Sequence, residues 1–225
     1  MKVLTYHSIG IPPKEARLKT LYVNPKAFER QIWLLKTLGF RFLRLSEVLS
    51  GNFSGKSVLL TFDDAYSDFF ENAYPVLKRY NIPAVVFVPV MCVGKFNLWD
   101  WKELRVKKPI MSWDQIKMLV EEGFEIGSHT LTHPFLSRIP PEQAAREIED
   151  SKKILEDKLG VEVVSFCYPY GDYNNMVRDM VARAGYRIAF TTKKGSFEDS
   201  PNIYEVRRIT IFGNDLLPKF FLKCL

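Results

Sequence analysis

The sequence predicts an α/β fold built on a parallel sheet that closes into a short or irregular (β/α) barrel. Three observations point there. Strand-like apolar runs alternate with segments of helical spacing from end to end, the pattern of repeated βα units. There are roughly seven such units, and the chain approaches the length of a barrel at 225 residues. Ala84–Val88 is apolar throughout, as a strand covered on both faces must be.

Taken in order, Lys2–Tyr6 is a short apolar strand, and Phe28, Ile32 and Leu35 give Pro25–Leu38 a helical stripe that stops at Gly39. Phe40–Leu43 is a strand, followed by a short helix through Leu49 capped by Ser46. Ser57–Phe62 is a strand, and Tyr66–Tyr80 a helix burying Phe69, Phe70, Ala73, Val76 and Leu77. After Ala84–Val88, residues 90–109 form one irregular insertion that holds Trp99 and Trp101 and is expected to rim a binding groove. Ser112 caps a helix to Glu122, Gly123 ends it, and Phe124–Ser128 is the next strand. Pro141–Leu159 is the longest helix, closed by Gly160. The strand Val161–Cys167, the helix Asn174–Ala184, and the strands Arg187–Phe190 and Ile203–Ile211 follow. The last helix, Asp215–Leu225, is expected to close the barrel, with membrane-surface binding as the alternative for its apolar face.

Composition excludes several classes. At 47% hydrophobic and 26% charged residues the chain is globular, not disordered. Its net charge of +6 is scattered along the sequence, which argues against a nucleic-acid partner. Cys92, Cys167 and Cys224 are odd in number and far apart, so no disulfide framework or thiolate zinc site follows. No signal peptide is visible, and the longest apolar stretch, 82–93, is broken by Pro83 and Pro89 and too short to span a bilayer. The expectation is one catalytic domain over residues 1–225, acting in the cytoplasm, with no transmembrane segment and peripheral membrane association left open.

Chemistry gathers at the C-terminal ends of the expected strands, where parallel α/β folds carry their active sites. His7 follows the first strand, Asp63-Asp64 the third, His129 and His133 the fifth, and Tyr168-Pro169-Tyr170-Gly171 the sixth. Two of only three histidines fall four residues apart. Two adjacent carboxylates and two imidazoles suit a divalent-metal hydrolase, which needs ligands and a separate base. Each motif has a plainer reading by itself: a helix cap for Asp63-Asp64, loop histidines for His129 and His133, an ordinary turn for 168–171. Their convergence on one end of the sheet favours a site.

Thr61-Phe62-Asp63-Asp64, Ser128-His129-Thr130-Leu131-Thr132-His133 and Tyr168-Pro169-Tyr170-Gly171 resemble successive motifs of the polysaccharide deacetylases, the fourth carbohydrate esterase family. Gly123-Phe124-Glu125-Ile126-Gly127 and Tyr6-His7-Ser8 look like its exopolysaccharide-deacetylase branch. The resemblance implies a distorted (β/α)7 barrel related to the TIM barrel. It also implies metal-dependent removal of N-acetyl groups from amino sugars of a polysaccharide, oligosaccharide or glycolipid. Asp64, His129 and His133 would hold one divalent ion, zinc first, although such a donor set also accepts cobalt, nickel or iron. Asp63 would be the general base and the Tyr170 N–H an oxyanion donor, with Pro169 fixing the turn and Tyr168 beside it at the substrate.

Two departures from the family pattern stand out. Cys167 occupies the place of an arginine two residues before the proline, and no histidine follows His133 to supply a late acid. His7 is the expected replacement acid, since first and last strands are neighbours in a closed barrel. Arg207 or Arg208 is the expected replacement cation, because one of two adjacent strand residues must face inward, and Arg208 is preferred. Trp99 and Trp101 are candidates for stacking on sugar rings. The rival readings are a carbohydrate-binding relic that has lost turnover and a metal phosphoesterase, which usually needs a second metal.

Overall fold

The structure is a computed structural model that describes residues 1–224, so the expected end of the last helix at Leu225 lies outside the described residues. Its strands are β1 (Lys2–Tyr6), β2 (Ser8–Ile9), β3 (Tyr22–Val23), β4 (Arg41–Phe42), β5 (Ser57–Phe62), β6 (Val85–Val88), β7 (Glu125–Ser128), β8 (Ser165–Cys167), β9 (Ile188–Lys194) and β10 (Val206–Thr210). β2 and β3 pair apart from the rest. The others form one sheet in the order β1-β10-β9-β8-β7-β6-β5-β4, and β5 bonds back to β1 from Lys2↔Val58 to Tyr6↔Phe62. Seven parallel strands therefore close a barrel, with β4 outside the ring. β4 pairs with Ser57 and Val58 while β6 pairs with Thr61 and Phe62, so two strands share the edge of β5 that faces away from β1. That sharing is the distortion.

Strand alternation sorts the barrel into two cores. Val3, Leu59, Phe87, Cys167, Phe190 and Val206 fill its interior. Leu4, Leu60, Val86, Phe166 and Ile209 face outward onto the helices. The interior is tight: a Cβ on Gly127 would lie 2.4 Å from the Phe87 ring and 2.5 Å from Ser165 Oγ, so only glycine fits there.

The helices are α1 (Pro25–Thr37), α2 (Leu45–Leu49), α3 (Tyr74–Tyr80), α4 (Trp101–Leu104), α5 (Trp113–Glu121), α6 (Pro141–Leu159), α7 (Asn175–Arg183) and α8 (Leu217–Cys224). Local chemistry starts several of them. Asn24 Oδ1 accepts the Lys26 N–H ahead of α1. Ser112 and Gln115 exchange side-chain-to-backbone bonds at 3.2 and 2.9 Å, the reciprocal cap of α5. Asn174 Oδ1 accepts the Val177 N–H at α7. Among the described residues no helix is long and apolar enough to cross a membrane.

Two expectations are corrected here. α2 begins at the buried Leu45, and Glu47 reaches back to the Arg44 N–H at 2.8 Å, so Ser46 lies inside the helix and does not cap it. The expected helix Tyr66–Tyr80 splits into a π-turn over Phe69–Ala73 and α3. Pro75 has no N–H to give the preceding turn, and the Tyr74 N–H bonds instead to Phe69 O, five residues back.

Candidate active site and metal centre

The alternation that sends Val3 and Leu59 inward also aims His7, Asp63 and His129 at the mouth of the barrel, because each sits an even number of residues along the same strand line. Asp64 follows Asp63 and would point away in an extended chain. Positive φ at Asp64 (73°) and Ala65 (51°) turns it back toward the mouth. Thr130, His133 and Tyr170 also have positive φ, at 70°, 65° and 59°. Such conformations cost on the order of 1 kcal/mol or more each and cluster where a site dictates the backbone.

Asp64 Oδ1 lies 3.5 Å from His129 Nε2 and 3.4 Å from His133 Nε2, and all three groups are buried. Metal bonds of about 2.0–2.1 Å in tetrahedral geometry separate two ligand atoms by about 3.3–3.4 Å, so the three donors are spaced to share one ion. The His129 Nδ1–H donates to Cys167 O at 2.7 Å, which leaves the Nε2 lone pair facing Asp64. One carboxylate and two imidazoles fit a borderline divalent ion such as zinc.

Asp63 is 4% exposed and held by both arms of Arg208: Nη1 to Oδ1 at 2.8 Å and Nη2 to Oδ2 at 2.7 Å. Arg208 also donates to Thr191 O and Thr61 Oγ1, and its Nη2 lies 3.1 Å from Cys167 Sγ. The small Cys167 side chain thus leaves room for a guanidinium arriving from β10. Burial pushes the Asp63 carboxyl up, but Arg208 outweighs it and holds the group below the usual carboxylate range. His7 Nε2 stands 3.9 Å from Asp63 Oδ2 on the other side. Burial pulls the His7 imidazole down against the opposing charges of Asp63 and Asp64.

Tyr170 stacks on Phe135 at 3.9 Å and meets His133 edge-on at 4.5 Å. Among the described residues its N–H makes no backbone hydrogen bond. Tyr168 is buried, lines the cavity, and donates its hydroxyl to Tyr204 O at 3.0 Å. Pro169 is buried behind the turn and does not reach the cavity. Trp99 lines it, yet one ring face lies on His133 at 4.4 Å and Tyr66 stacks at 6.3 Å. Trp101 is outside the cavity, edge-on to Phe96 with Lys102 and Lys107 over its ring. One cavity of about 120 Å³ thus joins His7, Asp63, Asp64, His129, His133 and Tyr170, and not Trp101 or Pro169.

Other residues of the site carried no visible signal in the sequence. Glu147 of α6 accepts the Leu131 and Thr132 N–H groups at 2.9 and 2.8 Å and the Thr132 hydroxyl at 2.6 Å, pinning the loop between the two histidines. Asp100 and Lys108, from the insertion, line the cavity.

The comparisons with known proteins fall on this frame. A family model described as polysaccharide deacetylase matches residues 50–189. YxkH of Bacillus subtilis is 29% identical over 216 residues, covering 94% of this chain and 71% of that protein. A poly-β-1,6-N-acetyl-D-glucosamine N-deacetylase of Staphylococcus aureus is 30% identical over 201 residues, covering 86% and 69%. The Streptococcus pyogenes deacetylase PplD, solved in complex with acetate, superposes with a TM-score of 0.84 at 29% identity, covering 100% of this chain and 98% of that one. With the matched model spanning more than half of its residues, and with this barrel beneath it, the chain belongs to the polysaccharide deacetylase family, hydrolases that act on the amide of N-acetylated sugars.

Proposed function

We propose that residues 1–225 act as one metal-dependent catalytic unit. It removes acetyl groups from N-acetylglucosamine residues of a glycan, with poly-β-1,6-N-acetylglucosamine the first substrate to test because the Staphylococcus aureus relatives are named for it. One observation carries this reading: the Asp64, His129 and His133 donors share a cavity with a second carboxylate, Asp63, that Arg208 holds ionised. A divalent ion held by those three donors would polarise the acetamide carbonyl and acidify a water. Asp63 takes the proton of the attacking water, since a carboxylate bound to a cation is too weak a base for the task. The Tyr170 N–H donates to the carbonyl oxygen as negative charge develops there. His7, facing Asp63 across the cavity, delivers a proton to the departing amine.

Both the base and the acid of this scheme are present, which favours an enzyme over a binding relic. A second group with metal-ligand chemistry, Asp63, His129 and Cys167, shares His129 with the first and has Arg208 bonded to its carboxylate, so it makes no independent second centre for a phosphoesterase. The test is acetate release from N-acetylglucosamine oligomers by protein loaded in turn with zinc, cobalt, nickel and iron, and after chelation. Tight oligomer binding with no acetate under any metal would overturn the proposal, as would undiminished activity in chelator.

A further inference from the structure

Lys108 is 7% exposed, lines the cavity, and makes no ion pair and no side-chain hydrogen bond among the described residues. Its ammonium lies 3.1 Å from the centre of the Tyr66 ring and 4.7 Å from that of Tyr22. A buried ammonium set between ring faces, drawn by the charges of Asp68, Asp64 and Asp100 yet hydrogen-bonded to none of them, still has three donors to satisfy. Asp100 lines the same cavity. The two are clamped together by Asn97, which is fully buried: its Nδ2 donates to Asp100 Oδ1 at 2.6 Å, its Oδ1 accepts the Lys108 N–H at 2.6 Å, and its own N–H donates to Lys108 O at 3.1 Å. The Asp100 carboxylate has hydrogen bonds from Asn97 and Trp99, which hold it in place beside the cavity. The pair lies against the metal centre, because the preceding residue, Trp99, stacks on His133.

We propose that Lys108 and Asp100 form a hydroxyl-reading subsite that grips the amino sugar ring and turns its acetamido group toward Asp63 and Asp64. This rests on the deacetylase reading above. A sugar hydroxyl both donates and accepts, and the pair offers one group of each kind: Asp100 accepts from one hydroxyl while Lys108 donates to another. Opposite charges on one wall suit a neutral polyol better than an anion, which Asp100 would repel. Burial pushes the Lys108 ammonium down to about 8 and the Asp100 carboxyl up to about 6, so both remain charged at neutral pH. These are positioning residues; neither is assigned a proton transfer.

Glucosamine keeps every ring hydroxyl but has no acetyl group to lose, so its binding is read without turnover. Calorimetric dissociation constants would be measured for glucosamine and its 3-, 4- and 6-deoxy derivatives against metal-loaded wild type, Lys108→Met and Asp100→Asn. Wild type should bind at least one deoxy derivative roughly 10-fold to 100-fold more weakly than the parent, the range of a hydrogen bond to a charged group. Each variant should weaken parent binding by a similar factor and lose the discrimination at one hydroxyl. Variants that keep the wild-type discrimination at every position, or a wild type indifferent to all three deletions, would overturn the subsite. Acetate release from N-acetylglucosamine oligomers, run beside the calorimetry, separates the two claims. Discrimination without acetate sinks the deacetylase reading alone, and acetate with unchanged discrimination sinks the subsite alone.

Discussion

Replacing Lys108 with methionine should make the metal-free protein more stable at neutral pH. Burial pulls the ammonium from the 10.5 of an unperturbed lysine to about 8, against the attraction of Asp68, Asp64 and Asp100. A drop of that size corresponds to about 3 kcal/mol spent on keeping the charge inside the fold. Below the folded value both states are protonated and the cost is felt in full. Between the folded and unfolded values the native lysine is neutral while the unfolded chain still binds the proton, so wild-type stability rises with pH through that window. Methionine fills similar space without the charge but forgoes the attraction to the Tyr66 ring, about 1 kcal/mol. The variant should therefore gain about 2 kcal/mol at about pH 7, and the gain should vanish or reverse by about pH 10. Urea unfolding in chelator, read as the difference between variant and wild type at both pH values, cancels the titration of the other lysines. A variant less stable at neutral pH, or an advantage that does not change with pH, would refute the reasoning. Loss of sugar binding together with a gain in stability would be the trade expected of a residue kept for function.

Three further substitutions follow from the geometry. Asp63→Asn should retain metal by atomic absorption yet lose on the order of 10²–10⁴-fold in kcat, and substantial residual turnover would remove Asp63 as the base. His129→Ala should lose metal at micromolar free zinc, and unchanged metal content would break the ligand assignment. Arg208→Leu strands a buried carboxylate, so it should cost about 3–5 kcal/mol in unfolding experiments. Since Arg208 is what holds the Asp63 carboxyl low, its loss should also move the acid limb of the kcat/KM profile to higher pH, and an unmoved limb would show that Arg208 does not tune the base.

Strand periodicity made much of the site legible in the sequence. Position at strand ends placed His7 and Asp63 at one end of the barrel, while parity along the last strand left Arg207 and Arg208 both open; the structure has Arg208 bonded to both oxygens of Asp63. The conversion of Cys167 and Arg208 into one substitution across two strands was hinted at by the motif, but its geometry depends on contact between β8 and β10 side chains that no spacing encodes. Glu147 and Lys108 stayed hidden because each is one charged residue among many on its segment, and only the fold turns them inward. Trp101 shows the converse. Its place in the insertion suggested a sugar platform, yet α4 carries it onto Phe96, beyond the cavity. Pro75 interrupts Tyr66–Tyr80 at a point where the apolar spacing alone predicts an unbroken helix.

The partner of Asp63 arrives on β10, the last strand of the ring, and β10 must slot between β1 and β9 to deliver it. Until β10 is in place, the edge of β1 that faces away from β5 has no partner in the ring. The candidate metal ligands Asp64, His129 and His133 follow β5 and β7 and so precede β10 in the chain. A nascent chain stalled after β9 would present Asp64, His129 and His133 while Asp63 still lacked its guanidinium and the barrel stood open. The order of the strands therefore places the candidate ligands ahead of the cation that steadies Asp63, and only closure by β10 brings the two halves of the proposed site together.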